Sequence, residues 1–111
     1  MNTLERLTIY VGESDHWHGK PVYLALVEAA RHRGIAGATV TAGVAGFGKH
    51  QHLHTTRILE LSSDLPMVVT IIDTVEAIAC FLPTVQQMVA GGIVIQDTVQ
   101  VVHHAPIIPQ V

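Results

Sequence analysis

Residues 34–56, GIAGATVTAGVAGFGKHQHLHTT, decide how the rest of the chain is read. In the first half, Ala38, Val40, Ala42 and Val44 alternate with Thr39, Thr41, Gly43 and Ala45. That period of two predicts a strand over about Ala38–Ala45. The alternation then stops at Gly46-Phe47-Gly48, where glycine allows backbone angles that other residues resist. A basic, imidazole-rich run follows: Lys49-His50-Gln51-His52-Leu53-His54, with Arg57 close behind. A strand that opens into a charged loop is a natural place for function.

Upstream, Leu7, Ile9 and Val11 alternate with Thr8 and Tyr10, which predicts a first strand ending at Gly12. The loop Glu13–Gly19 comes next. Lys20-Pro21 is read as the opening of a helix, with Pro21 in the first turn, where its missing N–H costs nothing. Tyr23, Leu26, Val27 and Ala30 form one apolar stripe. Arg31, His32 and Arg33 suit the negative end of the helix dipole, and Gly34 stops the helix.

Downstream, Ile58–Leu61 reads as a short extended piece and Ser62–Pro66 as a turn. Met67–Ile72 is nearly all apolar, as in a strand covered on both sides. Asp73-Thr74-Val75-Glu76 resembles a capping box. The second helix has a stripe of Ile78, Phe81, Leu82, Val85 and Val89, with Pro83 inside it and Gly91-Gly92 at its end. The last strand spans Ile93–Val102. Asp97 shares the parity of Ile93, Ile95, Val99 and Val101, so a bulge or kink is expected there. Residues 103–111 contain Pro106 and Pro109 and no periodicity. They form a tail, either disordered or laid across a neighbouring subunit, outside a domain of residues 1–102.

The order strand, helix, strand, strand, helix, strand is that of an α+β ferredoxin-like βαββαβ sandwich: a four-stranded antiparallel sheet with both helices on one face. The other face, with Thr39, Thr41 and the odd residues of the last strand, is left bare. The composition bears on that face. The 111 residues are 49% hydrophobic and only 14% charged, where an average domain is about 25% charged. The deficit predicts that the bare face is covered by other copies. A formal net charge of -3 argues against a general nucleic-acid binder. The start lacks the apolar core of a secretory signal, and the single Cys80 fits a reducing compartment, so a cytoplasmic homo-oligomer is expected.

Several motifs carry a resemblance. Gly12-Glu13-x-Asp15-x-x-x-Gly19-Lys20-Pro21, Gly34-Ile35-x-Gly37-Ala38-Thr39-Val40, Gly43-x-x-Gly46-Phe47-Gly48 leading to His52-x-His54, and Ser62-x-Asp64-Leu65-Pro66 before an apolar strand are similar to the PII-like family catalogued as domain of unknown function 190. The likeness spans about Leu4 to Val102. It implies a homotrimer and a signal-transduction role without catalysis. It also implies that a small effector, often an adenine nucleotide, is held between subunits. The segment after the second strand would then be a T-loop contacting a membrane transporter or channel, or a metabolic enzyme. True PII proteins carry a phosphate-binding lysine between the second helix and the last strand. Here that place reads Ala90-Gly91-Gly92-Ile93-Val94, with no base. No tyrosine lies between Phe47 and Leu65 to accept a uridylyl group.

The residues expected to meet an effector or partner are Gly46, Phe47, Gly48, Lys49, His52, His54 and Arg57, with Glu13, Trp17 and Lys20 nearby. Lys49, Arg57 and the imidazoles suit an adenine nucleotide or another anion. The bland alternative is a solvated loop, predicted to be least ordered over Lys49–His54. A second alternative is metal, as in trimeric copper-tolerance proteins. His50, His52 and His54 would share one face of an extended chain, about 6–7 Å apart, and His16 and His18 repeat the spacing. Glu13 and Asp15 read as turn caps, with Lys20 neutralising them or reaching a cleft. Trp17 would stack on a base or fill a subunit contact. Cys80, beside the stripe of the second helix, reads as a small core residue.

Overall fold

The computed structural model of the chain describes residues 3–46, 54–55 and 64–104. In chain order the elements are β1 (Thr3–Gly12), β2 (His16–Trp17), β3 (Lys20–Pro21), α1 (Val22–His32), β4 (Gly37–Ala42), β5 (Ala45–Gly46), β6 (His54–Thr55), β7 (Pro66–Asp73), α2 (Val75–Met88) and β8 (Ile93–Gln100). The main sheet has the order β4-β7-β1-β8, and every neighbouring pair in it is antiparallel. The ferredoxin-like sandwich is thus as the periodicity predicted. The extended piece expected at Ile58–Leu61 and tail residues 105–111 lie outside the described residues.

The strand period decides which face is buried. Leu7, Ile9 and Val11 of β1 and Met67, Val69 and Ile71 of β7 point to the helices and are buried. Val22, Ala25, Leu26 and Ala30 of α1 and Ile78, Phe81 and Val85 of α2 complete the core. Tyr23 and Val27, assigned to the first stripe, are only partly buried, because the buried face is rotated to include Val22 and Ala25. Leu82 and Val89 likewise border the core. Arg33 joins the two helices. Its guanidinium donates to the Cys80 carbonyl oxygen at 3.2 Å and to Thr84 Oγ1 at 3.4 Å, and lies 5.7 Å from the centroid of the Phe81 ring.

Five local expectations are corrected. Lys20-Pro21 does not open the helix. It pairs with His16-Trp17 in a two-stranded ribbon, and α1 starts at Val22 with Pro21 as its N-cap residue. The turn of that ribbon, His18-Gly19, has positive φ at both positions, 48° and 84°, the pattern of a type I′ hairpin. The second strand stops at Ala42 rather than Ala45, because Gly43 turns away and Ala45-Gly46 pairs with His54-Thr55 instead. The cap of α2 is Thr74, not Asp73. Thr74 Oγ1 accepts from the Ala77 amide at 3.1 Å, while the Asp73 carboxylate accepts from the amides of Thr74 (2.7 Å) and Ala36 (2.9 Å). Cys80 is exposed, since helical phase puts it on the far side of Ile78 and Phe81.

The fifth correction is Asp97. No bulge occurs in β8, which ends at Gln100, two residues earlier than predicted. Its register with β1 is unbroken from Thr3↔Gln100 to Tyr10↔Ile93. The register sets Asp97 opposite Arg6, which donates to both its oxygens, at 3.0 and 2.7 Å. The bidentate guanidinium contact holds the Asp97 carboxyl below the usual carboxylate range. On the helix side of the same strand pair, Glu5 is buried and accepts from Gln96 Nε2 (2.7 Å) and Thr98 Oγ1 (2.5 Å). The Thr98 bond and then the Gln96 bond lower its pKa, against the opposing effect of burial.

The sheet face opposite the helices carries Tyr10, Thr8, Val68, Ile72, Ile93, Ile95 and Val99 by strand parity. Tyr10 (44% exposed), Ile93 (57%) and Ile95 (48%) are its large exposed apolar groups. Apart from the Arg6–Asp97 pair, the described part of this face has no charge of its own.

Candidate functional site

A cavity of about 230 Å³ opens where β1 ends, α1 begins and α2 stops. It is lined by Val11, Asp15, His16, Val22, Met88, Val89, Ala90 and Gly91. Each wall has a local cause. Val11 is the last inward-facing residue of β1. Val22 is the first residue of α1, a helix end without a side-chain cap and without an acidic residue in its first turn. Met88–Gly91 leave α2 and pass close behind β1. A Cβ on Gly92 would lie 2.2 Å from the Tyr10 carbonyl oxygen and 3.0 Å from Val11 Cγ1 and Val89 Cγ1. Only glycine allows that approach.

The polar part of the rim is built by the 12–16 loop. The Asp15 carboxylate accepts from the Gly12 amide at 3.0 Å, and the Asp15 carbonyl accepts from the Val22 amide at 2.8 Å. His16 Nδ1 lies 2.5 Å from the Ser14 carbonyl oxygen. A carbonyl can only accept, so Nδ1 carries the proton and Nε2 is the acceptor of the neutral ring. Glu13, predicted to cap a turn, does so. Its amide donates to the Leu65 carbonyl at 2.9 Å, and its carboxylate accepts from the Leu65 amide at 3.5 Å. Lys20 neutralises neither Glu13 nor Asp15, because it pairs with Glu28 of α1 at 2.5 Å. Trp17 is partly buried against the core, with its ring stacked on His18 at 4.0 Å between centroids.

Of the residues predicted from the basic loop, the described ones are Gly46 and His54, which are register partners in the β5–β6 ribbon. Phe47, Gly48, Lys49, His50, His52 and Arg57 lie outside the described residues. Among the described residues no group of three or more His, Cys, Asp or Glu side chains is arranged to hold a metal ion. No described helix is long and apolar enough to cross a membrane. Sequence reasoning missed Met88, Val89 and Val22 as cavity walls, because each reads as ordinary helix surface or core. It noted Gly91-Gly92 as a helix stop, without the packing reason now visible.

The family model DUF190, described as Uncharacterized ACR, matches residues 4–101. The chain belongs to the DUF190 family. A UPF0166 protein of Aquifex aeolicus (strain VF5) is 40% identical to this DUF190 chain over 91 residues, 82% of the chain and 87% of the relative. A UPF0166 protein of Methanocaldococcus jannaschii is 32% identical over 93 residues, 82% of the chain and 85% of the relative. Among solved structures, CPII, a nitrogen regulatory PII-like protein from Thiomonas intermedia K12 bound to ADP, AMP and bicarbonate, superposes with a TM-score of 0.66 at 17% identity. That match covers 89% of this chain and 88% of CPII. A PII-like signaling protein of Thermus thermophilus, TTHA0516, superposes at 0.64 with 20% identity, covering 90% of each chain. At such identities the likeness establishes the PII-like fold.

Proposed function

We propose that this DUF190 protein is a PII-like regulatory protein that assembles as a homotrimer, binds a small effector and adjusts a partner without catalysing a reaction. The observation that carries the reading is the cavity at the end of α2. It lies in a fold whose neighbour CPII is bound to ADP, AMP and bicarbonate. The uncapped N-terminus of α1 borders the cavity, and its partial positive charge favours a negatively charged or electron-rich group, partly offset by Asp15. The cavity's ionisable groups, Asp15 and His16, are engaged with backbone of their own loop, which suits binding better than proton transfer. The apolar sheet face supports assembly through copies of itself, which would set the cavities near subunit boundaries. Lys49, His52, His54 and Arg57, with Gly46, Phe47 and Gly48, are the proposed partner-facing residues. Glu13, Trp17 and Lys20 flank the cavity side. The partner class implied is a transporter, channel or metabolic enzyme in the cytoplasm.

A thermal-shift screen tests the reading, since a ligand that binds only the native state raises its stability. ADP, AMP, bicarbonate and zinc are the probes. A saturable rise in Tm with an adenine nucleotide or bicarbonate is expected. A rise with zinc alone would transfer the assignment to a metal-binding protein built on His50, His52 and His54.

A further inference from the structure

Three motifs far apart in the sequence meet at one point of the fold. Gly12-Glu13-Ser14-Asp15 leaves β1, Gly43-Val44-Ala45-Gly46 joins β4 to β5, and Asp64-Leu65-Pro66 leads into β7. Hydrogen bonds tie the first motif to the third: Glu13 amide to Leu65 carbonyl (2.9 Å), Leu65 amide to Glu13 Oε1 (3.5 Å) and Ser14 amide to Asp64 Oδ1 (2.8 Å). A further bond ties the second to the third, Gly43 amide to Pro66 carbonyl at 2.7 Å.

The glycines make this interlock possible. A Cβ on Gly12 would lie 3.0 Å from both carboxylate oxygens of Asp64. On Gly43 it would lie 2.7 Å from Pro66 Cγ, and on Gly46 3.3 Å from the same atom. There is no spare volume in which one segment could slide past another. The same Ser14 whose amide is held by Asp64 offers its carbonyl to His16, and Asp15 and His16 line the cavity.

We propose that residues 12–16 and 64–66 form a clasp that makes the cavity rim and the stem of the β5–β6 ribbon one cooperative unit, with Asp64 and Glu13 as its positioning residues. A displacement of the rim is then passed through Ser14 and Glu13 to Asp64-Leu65, and through Pro66 to Gly43 and Gly46. The route runs equally in reverse, as coupling between sites must. That the displacement is driven by an effector rests on the function proposed above; the clasp itself does not.

Hydrogen exchange on the full chain, without ligand, tests it. Asp64→Ala removes the acceptor of the Ser14 amide, while Asp64→Asn keeps an acceptor oxygen. Loss of one charge-assisted bond corresponds to about a tenfold or greater rise in exchange. In Asp64→Ala that rise is expected at Ser14 and also at Gly43, which Asp64 does not touch. Asp64→Asn should stay near the native rates. From the other side, Asp15→Ala should raise exchange at Leu65 and Gly43. Increases confined to the mutated motif in both Asp64→Ala and Asp15→Ala would overturn the clasp. A variant that exposes core amides such as Ile9 and Val69 to the same degree is unfolding globally, and the backbone shifts of Gly43 and Ser14 in folded Asp64→Asn and Glu13→Gln then decide. Joint shifts at both positions support the clasp, and a shift at one alone refutes it. Adding ADP separates the two proposals. If ADP does not bind, the effector reading fails, while the ligand-free results still judge the clasp.

Discussion

Truncating Tyr10 to alanine should take the trimer apart while leaving the subunit folded. Tyr10 lies at the end of β1 on the face opposite the helices, in register with Ile93 and Val68. It is 44% exposed in the isolated subunit. An aromatic side chain offers about 150–250 Å² for burial, so roughly 65–110 Å² of Tyr10 remains for an interface to cover. At about 25 cal/mol per Å² that area is worth roughly 1.6–2.8 kcal/mol per subunit. Alanine forfeits most of it, and three copies lose about 5–8 kcal/mol in total. Since about 1.4 kcal/mol is a factor of ten, the association constant should fall by about three to six powers of ten. Sedimentation equilibrium over a wide concentration range reads this directly. The native chain should be trimeric at micromolar concentration and Tyr10→Ala largely monomeric, with unchanged far-UV circular dichroism. A variant that stays fully trimeric, or a native chain that is monomeric, would refute the assignment of this face as the interface.

Three further outcomes follow from the packing. Gly92→Ala should destabilise the fold by about 1–3 kcal/mol or more in urea denaturation, because its Cβ meets the Tyr10 backbone oxygen, which has no freedom to retreat. Thr74→Ala should cost about 1 kcal/mol by removing the acceptor for the Ala77 amide at the start of α2. Stability should also fall in acid. Glu5 and Asp97 have folded pKa values below their usual 4.5 and 3.8, so their contributions are complete above those usual values and are lost as pH falls through the lower folded ones. Glu5→Gln should flatten part of that decline in the urea midpoint.

How far the chain could be read in advance depended on the range of the interaction. Elements specified by their own periodicity were legible. The alternation of β1 and the apolar run of β7 each fixed a strand, and the two helical stripes fixed the layer that covers them. Features set by a partner distant in sequence were not. Asp97 broke the apolar parity of β8 and so suggested a bulge. Its partner Arg6, 91 residues away, shows instead a charge pair inside a regular ladder. His18 turns the β2–β3 ribbon with a positive φ that favours glycine, so the sequence carried only the neighbouring Gly19 as a signal. The candidate site shows the same division. Glu13 and Asp15 were legible as turn caps. The cavity needed the end of α2 to arrive behind β1, and the clasp needed Asp64 to arrive over Gly12. Neither approach leaves a pattern in local sequence beyond the glycines that permit it.

The central claim is that the protein binds a small anionic effector, and calorimetric titration with ADP at about pH 8 and about pH 6 tests it most directly. Lys49 and Arg57 carry charge throughout this range, while imidazoles gain it as pH falls, so ADP should bind saturably and more tightly at the lower pH. Arg57→Ala should weaken it by about 1.5–3 kcal/mol, the worth of a charge-assisted bond. Zinc would show the opposite slope, because protons compete for the ring nitrogens. Zinc binding that tightens at the higher pH and ignores Arg57→Ala, with no affinity for ADP, AMP or bicarbonate, would contradict the account.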